Sequence, residues 1–261
     1  MVGILKKIAL LIMVTVVSGC TTLYNPATGR NELILINSQT ETAIGRSTAS
    51  ELNRKQRILT GSRIANKLGI IGARIAAFSD RKDIEYSFWL VDDKEPNAFT
   101  LPGGFVYMNS GLAVILDDDE LAYVLGHEVG HAAARHIVKK MQSNMAYQLL
   151  LSLAFSGLQS GVGEPAVDIA RGADAVYGLV GLGYSRKDEL EADRIGVKYA
   201  FKAGFNPYAA FTALEKLKKT EGEGLRMPAL LRTHPYADER ISRLKEFIPG
   251  LINEGKDKAV P

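Results

Sequence analysis

Apolar positions change their spacing several times along the chain, and each change marks an element. From Thr40 to about Phe78 the pattern reads as helical, with Ile58 followed by Ile64, Leu68, Ile71 and Ile75 at mixed three- and four-residue spacing. Gly61, Gly69 and Gly72 predict breaks within it. Tyr86–Val91 and Phe105–Asn109 are rich in aromatic and β-branched residues and read as strands. The turn-dense segment Asn97-Ala98-Phe99-Thr100-Leu101-Pro102-Gly103-Gly104 joins them. Helical spacing returns over Asp117–Met141, where Val124, Leu125, Val129 and Ala132 supply apolar faces. Asp117 and Glu120 form a capping-box pattern at its start, and three acidic residues occupy the positive end of its dipole. Met145–Leu158 is strongly apolar, yet too short and interrupted to span a bilayer. Glycines 161, 163, 172, 178, 181 and 183 then predict a loop-prone region that could cover a cleft or form a loose insertion.

The first residues follow another logic. Lys6 and Lys7 precede Ile8–Val17, an apolar run of export-signal length. The run ends in Val17-Ser18-Gly19-Cys20, which resembles a bacterial lipobox and holds the chain's one cysteine. Residues 1–19 therefore read as a lipoprotein signal peptide and Cys20 as the lipidated residue. Residues 20–40 read as a tether, and 20–261 as a single domain. Thr21, rather than Asp, follows the cysteine, which by resemblance to sorting patterns favours the periplasmic face of the outer membrane over the inner membrane. The whole chain carries 32 basic and 29 acidic residues. Without Lys6 and Lys7 the balance falls to +1, and it gives no electrostatic case for nucleic acid.

The chemistry centres on His127-Glu128-Val129-Gly130-His131, an HExxH sequence. Histidines four apart sit roughly 40° apart around a helix, one turn above the other, so both imidazoles reach one ion. Neutral imidazole nitrogen suits zinc, and Glu128 beside the pair suits a base for metal-activated water. Two strands running into this helix match a zincin layout, whose edge strand can pair with an extended peptide. The expected fold is α+β and predominantly helical, with a small antiparallel sheet beside the HExxH helix. A catalytic zinc needs a third protein ligand. His136 lies roughly 180° from His127 on a continuous helix, which turns it away from the ion and makes it a core or partner-bonded histidine. Glu189 and Asp193 are better placed, being four apart on one face that Gly196 and Ala200 extend with small side chains, which predicts a close approach to the HExxH helix. Glu191 points roughly 160–200° from Glu189 and reads as a solvated or salt-bridged residue.

HEVGH, the E-x-x-A-D element from Glu189 to Asp193, the upstream NAF…PGG segment and Thr233-His234-Pro235 resemble the HtpX/CAAX-prenyl-protease-type zinc metallopeptidases. The lipobox resembles their lipoprotein branch of LoiP- and BepA-like proteases. The resemblance runs from about Asn25 to Phe247. It implies one Zn2+ per chain held by His127, His131 and Glu189, with Glu128 as general base. Asp193 is implied as an orienting or proton-handling residue and His234 as a histidine near the metal. His234 has two open roles, donor to the oxyanion or removable fourth ligand. The implied function is a membrane-anchored zinc endopeptidase acting on unfolded or unassembled envelope proteins. The rival is a non-proteolytic assembly lipoprotein whose zinc is structural and permanently closed by His234. Two departures from the family pattern are expected: no membrane-spanning helices, and no helical repeat array after Ile248.

Overall fold

The computed structural model describes residues 22–155, 172–219 and 229–257. The leader, Cys20 and residues 156–158 at the end of the apolar stretch lie outside the described residues, as do Gly161 and Gly163. The fold is α+β and predominantly helical. Within the stretch read as a tether, β1 (Thr22–Asn25) and β2 (Arg30–Leu33) form an antiparallel hairpin. Helix α1 (Ser38–Lys55) follows, capped by the Asn37 side chain on Thr40 N. Residues 56–62 then interrupt the helical spacing. Ile58 stands in β3 (Ile58–Leu59), Gly61 turns the chain at φ 70°, and Ser62 caps α2 (Arg63–Ala76). Gly69 and Gly72 do not break this helix. The Phe88 ring lies where a Cβ on Gly72 would stand, so the glycine admits the sheet against the helix, and packing outweighs its poor propensity.

The central sheet has the order β3–β4–β6–β5, with β4 (Ser87–Val91), β5 (Ala98–Leu101) and β6 (Phe105–Asn109). Its outer pairs, β3 with β4 and β5 with β6, are antiparallel; the inner pair, β4 with β6, is parallel. β5 lies inside the segment read as connection, and it forms a sheet edge. The turn from Pro102 to Gly104 that returns it to β6 uses Gly103 and Gly104 at φ 78° and 88°, where other residues would be strained.

A short helix, α3 (Ser110–Ala113), leads to the buried α4 (Asp118–Ala133). Both hydrogen bonds of the predicted capping box are present between Asp117 and Glu120. The helix ends earlier than the periodicity predicts. Ala134 caps it and Arg135 takes a left-handed conformation at φ 58°, held by bonds from its guanidinium to Ile36 O (2.6 Å) and Glu41 (2.8 Å). A separate helix, α5 (His136–Phe155), begins there. The glycine-bearing segment read as loop-prone contains a helix in its described part, α6 (Ala173–Gly181). Then come α7 (Arg186–Lys202), α8 (Ala209–Lys219), α9 (Ala229–Thr233) and α10 (Ala237–Asp257). No helix among the described residues is long and apolar enough to cross a membrane.

One face of the sheet packs with α2, α4, α7, α8 and α10 in the larger core, through Leu125, Val129, Tyr199 and Leu244 among others. Phe99, Leu101 and Tyr107 face the smaller core, against α1, α6 and the start of α5. The tightest helix contact joins α4 to α7. A Cβ on Gly126 would come 2.7 Å from Gly196 O, and one on Gly130 2.6 Å from Ala192 O. Gly196 of α7, as the sequence predicts, and Ala192 bring the two backbones together, and Gly126 and Gly130 complete the seam from the other side.

Candidate metal centre

Each side chain of the centre is placed by a separate structural reason. The four-residue spacing on α4 brings His127 Nε2 within 2.9 Å of His131 Nε2. The glycine seam then presents the Glu189–Asp193 face of α7 to that pair. Glu189 Oε1 lies 3.4 Å from His131 Nε2, and Glu189 Oε2 lies 3.5 Å from His127 Nε2. His234 follows α9, its backbone N–H bonded to Leu230 O at 2.7 Å, and its ring enters the cluster from the opposite side. His234 Nδ1 stands 3.1 Å from both His127 Nε2 and Glu189 Oε1. The candidate ligand atoms of these four residues lie within 4.8 Å of one another, and all four residues are buried.

Glu128 leaves the same helix to the side. One oxygen accepts a 2.8 Å hydrogen bond from the Thr100 hydroxyl of β5. The other, Oε1, is buried without a hydrogen-bond partner and lies 3.5 Å from the similarly unpartnered His234 Nε2. Asp193 offers no atom to the ligand group but bonds directly to one of its members. It accepts from His127 Nδ1 (2.8 Å), from the Tyr123 hydroxyl (2.8 Å), and from Arg240 at both carboxylate oxygens (2.7 and 2.8 Å). Arg240 Nη2 also lies 3.1 Å from His127 Nδ1, but it has Asp193 and Tyr123 as acceptors. With Asp193 accepting, Nδ1 of His127 carries the proton and its Nε2 presents a lone pair to the cluster.

The electrostatics follow from burial and neighbours. Burial raises the Glu189 carboxyl, but the His234 and Arg240 charges hold it well below the usual range. Asp193 is likewise lowered against burial, chiefly by Arg240. Burial and the adjacent His127 push His131 toward its neutral form. Burial opposes protonation of His234, yet Glu189 and Glu128 outweigh it and raise that ring. Two imidazole lone pairs and an ionised carboxylate converging in a buried space, beside an unsatisfied second carboxylate, form the donor set of a divalent transition ion. The residues fit zinc.

The residues singled out from the sequence, His127, Glu128, His131, Glu189, Asp193 and His234, thus come together. Cys20 lies outside the described residues. His136 is buried and partner-bonded as expected, but it does not face away. Because the helix breaks at Arg135, its ring turns back, and Nδ1 sits 2.9 Å from His131 Nδ1. Glu191 is salt-bridged as expected, to Arg30 (2.7 Å), and accepts a hydrogen bond from His136 Nε2 (3.2 Å). Sequence reading missed Arg240, Thr100, Tyr123 and Tyr184, whose ring stacks on His131 at 3.9 Å. Arg240 left a trace. It aligns with Leu244 and Ile248 at four-residue spacing on the buried stripe of α10, where an arginine requires a partner.

An α+β fold that closes this donor set over HExxH is consistent with a zincin-like domain. The family model for peptidase family M48 matches residues 63–248, and the chain belongs to that family. The chain is 36% identical to the mitochondrial metalloendopeptidase OMA1 of Schizosaccharomyces pombe over 67% of its length and 50% of that protein's. It is 28% identical to the beta-barrel assembly-enhancing protease of Escherichia coli over 72% of its length and 40% of that protein's. It is 34% identical to OMA1 of Arabidopsis thaliana over 66% of its length and 33% of that protein's. The chain therefore spans half or less of the length of these relatives.

Proposed function

We propose that this chain is a zinc endopeptidase, with His127, His131 and Glu189 as metal ligands and Glu128 as general base. The observation that carries the reading is the convergence of those three ligands beside a buried Glu128 oxygen that has no other partner. Zinc, when bound, supplies a Lewis acid that polarises the scissile carbonyl and acidifies water. Glu128 Oε1 takes the proton from the attacking water and delivers it to the leaving amine. The Thr100 hydroxyl holds the other oxygen of Glu128, fixing the carboxylate's direction. Because Thr100 belongs to β5, an extended peptide paired along that edge would be aligned to the base by the same strand. Asp193, clamped by Arg240, orients His127.

His234 is read as a removable fourth ligand. Its Nδ1 lies among the ligand atoms while its Nε2 faces Glu128, so its ring fills the space a substrate carbonyl would need. All residues of the centre are nearly inaccessible, in keeping with a default-off state that opens when His234 withdraws.

The setting is also part of the proposal. The lipobox supports an anchor at Cys20 and an envelope location on the periplasmic face of the outer membrane. The beta-barrel assembly-enhancing relatives support unfolded or unassembled envelope proteins as substrates. Digestion of casein by the purified chain tests the activity. Cleavage should stop on chelation and return with zinc; cleavage that persists without metal, or is absent with it, refutes the reading. Palmitate labelling that survives Cys20→Ser refutes the anchor.

A further inference from the structure

The two histidines of HExxH are supported differently. His127 rests directly on a carboxylate, Asp193, through its outer nitrogen. The outer nitrogen of His131 faces no carboxylate; it faces another imidazole, His136 Nδ1, at 2.9 Å. On its far side His136 Nε2 meets two carboxyl groups, Glu191 Oε2 at 3.2 Å and Asp188 Oδ1 at 3.5 Å. Arg30 holds the other oxygen of Glu191 at 2.7 Å.

With both imidazoles neutral, hydrogen-bond bookkeeping leaves one consistent arrangement. Carboxylates only accept, so His136 Nε2 must carry a proton. A neutral imidazole has one N–H, which makes His136 Nδ1 an acceptor. His131 Nδ1 must therefore donate to it, and the lone pair of His131 is forced onto Nε2, the nitrogen facing the metal cluster. In the opposite arrangement His136 would donate to His131 Nδ1, and the proton on His131 Nε2 would block the ligand position. We propose that Glu191 and His136 form a relay that fixes the tautomer and direction of His131, making both of them positioning residues for the metal.

This rests on the zinc reading above and extends the ligand support to the N-terminal hairpin through Arg30. It also gives the helix break a purpose. A continuous helix would put His136 roughly 180° away from His127. A non-glycine residue with positive φ, Arg135, at the one place where the ring must return is the kind of strain that marks functional sites. Glu191 then matters without touching the metal, since Glu189 on the other side of α7 is the ligand.

The test is zinc affinity of the full chain, measured by competition with a chromophoric chelator. His136→Leu removes the acceptor and should weaken zinc by about 10- to 100-fold. His136→Asn places a carbonyl oxygen where Nδ1 stands and should restore most of that loss. Glu191→Ala should give a smaller weakening. Equal affinity of wild type and His136→Leu overturns the relay and leaves the zinc reading intact, as does an Asn variant as weak as the Leu variant. A wild-type chain that binds no zinc overturns the zinc reading, and the relay with it. Should His136→Leu fail to fold by circular dichroism, ring-nitrogen NMR of the zinc-loaded, 15N-histidine-labelled wild type decides. His136 protonated at Nε2 is expected; protonation at Nδ1 overturns the proposal.

Discussion

Two clusters of charge are buried on either side of the end of α4, and they are built to opposite rules. Near the N-terminal half, Glu41 lies between Arg81 (3.1 Å) and Arg135 (2.8 Å), and Arg81 also grips Asp83 (2.8 Å). Ser38, Ile36 O, Ala132 O and Gly103 N take up the remaining valences, and only Arg135 Nε lacks a partner there. The second cluster contains the same residue types plus histidines, yet Glu128 Oε1 and His234 Nε2 are left without partners and three lone pairs point inward. Burial alone does not separate structural charge from chemical charge. Whether the valences close does.

The largest expected effect breaks the second cluster at its open valence. Glu128→Gln should keep zinc at one per chain while casein cleavage falls by about 10³-fold or more. Zinc stoichiometry by metal analysis beside turnover checks this, and retained turnover refutes Glu128 as base. The closed cluster should answer in stability instead. Glu41→Ala leaves two buried guanidinium groups without their shared counter-charge and should cost about 3–5 kcal/mol in denaturant unfolding. Zinc stoichiometry of the folded fraction should stay at one per chain, any weakening passing only through the loosened turn at Arg135. A loss of zinc without a loss of stability would erase the distinction between the clusters.

A smaller change sharpens the reading of His234. If that ring closes the open position, His234→Ala should raise basal casein cleavage by about tenfold, the cost of one weak ligand to be displaced. A drop of about 10²–10³-fold would instead give it the oxyanion role. Wild-type activity would exclude both. The smallest effect belongs to Asp83. Burial raises its carboxyl, but the hydrogen bonds from Arg81 and Ser38 outweigh this and bring it down to about 2. A lowered carboxyl contributes stability above its unfolded value of 3.8 and loses it as pH falls from about 4 toward 2. Asp83 is half exposed, so the loss should be shallow. Asp83→Asn should flatten that part of the stability–pH curve; an unchanged slope refutes the assignment.

The HExxH helix, Glu189 and the close seam with α7 were legible because each depends on spacing within one helix, which a sequence displays directly. His136 was misplaced for the same reason. Extrapolating 100° per residue assumes an unbroken helix, and the break at Arg135 depends on Ile36 and Glu41, about a hundred residues away. β5 was hidden among turn formers, since Ala98–Leu101 is short and its pairing with β6 is settled by the turn at Gly103 and Gly104. Thr100 and Tyr123 carried no local signal; each acts on a residue from another element. Arg240 was visible only as a charge on an apolar stripe, which announces a partner without naming it.

The seam between α4 and α7 works as a gauge block. What a side chain at Gly126, Gly130 or Gly196 would strike is backbone, not the tip of a flexible neighbour. The gap between the imidazole pair and Glu189 is therefore set by main chain resting on main chain, and rotamer changes cannot retune it. Widening at these glycines would be felt first as slack between ligands, in a protein that still looks folded and has every metal-binding residue in place.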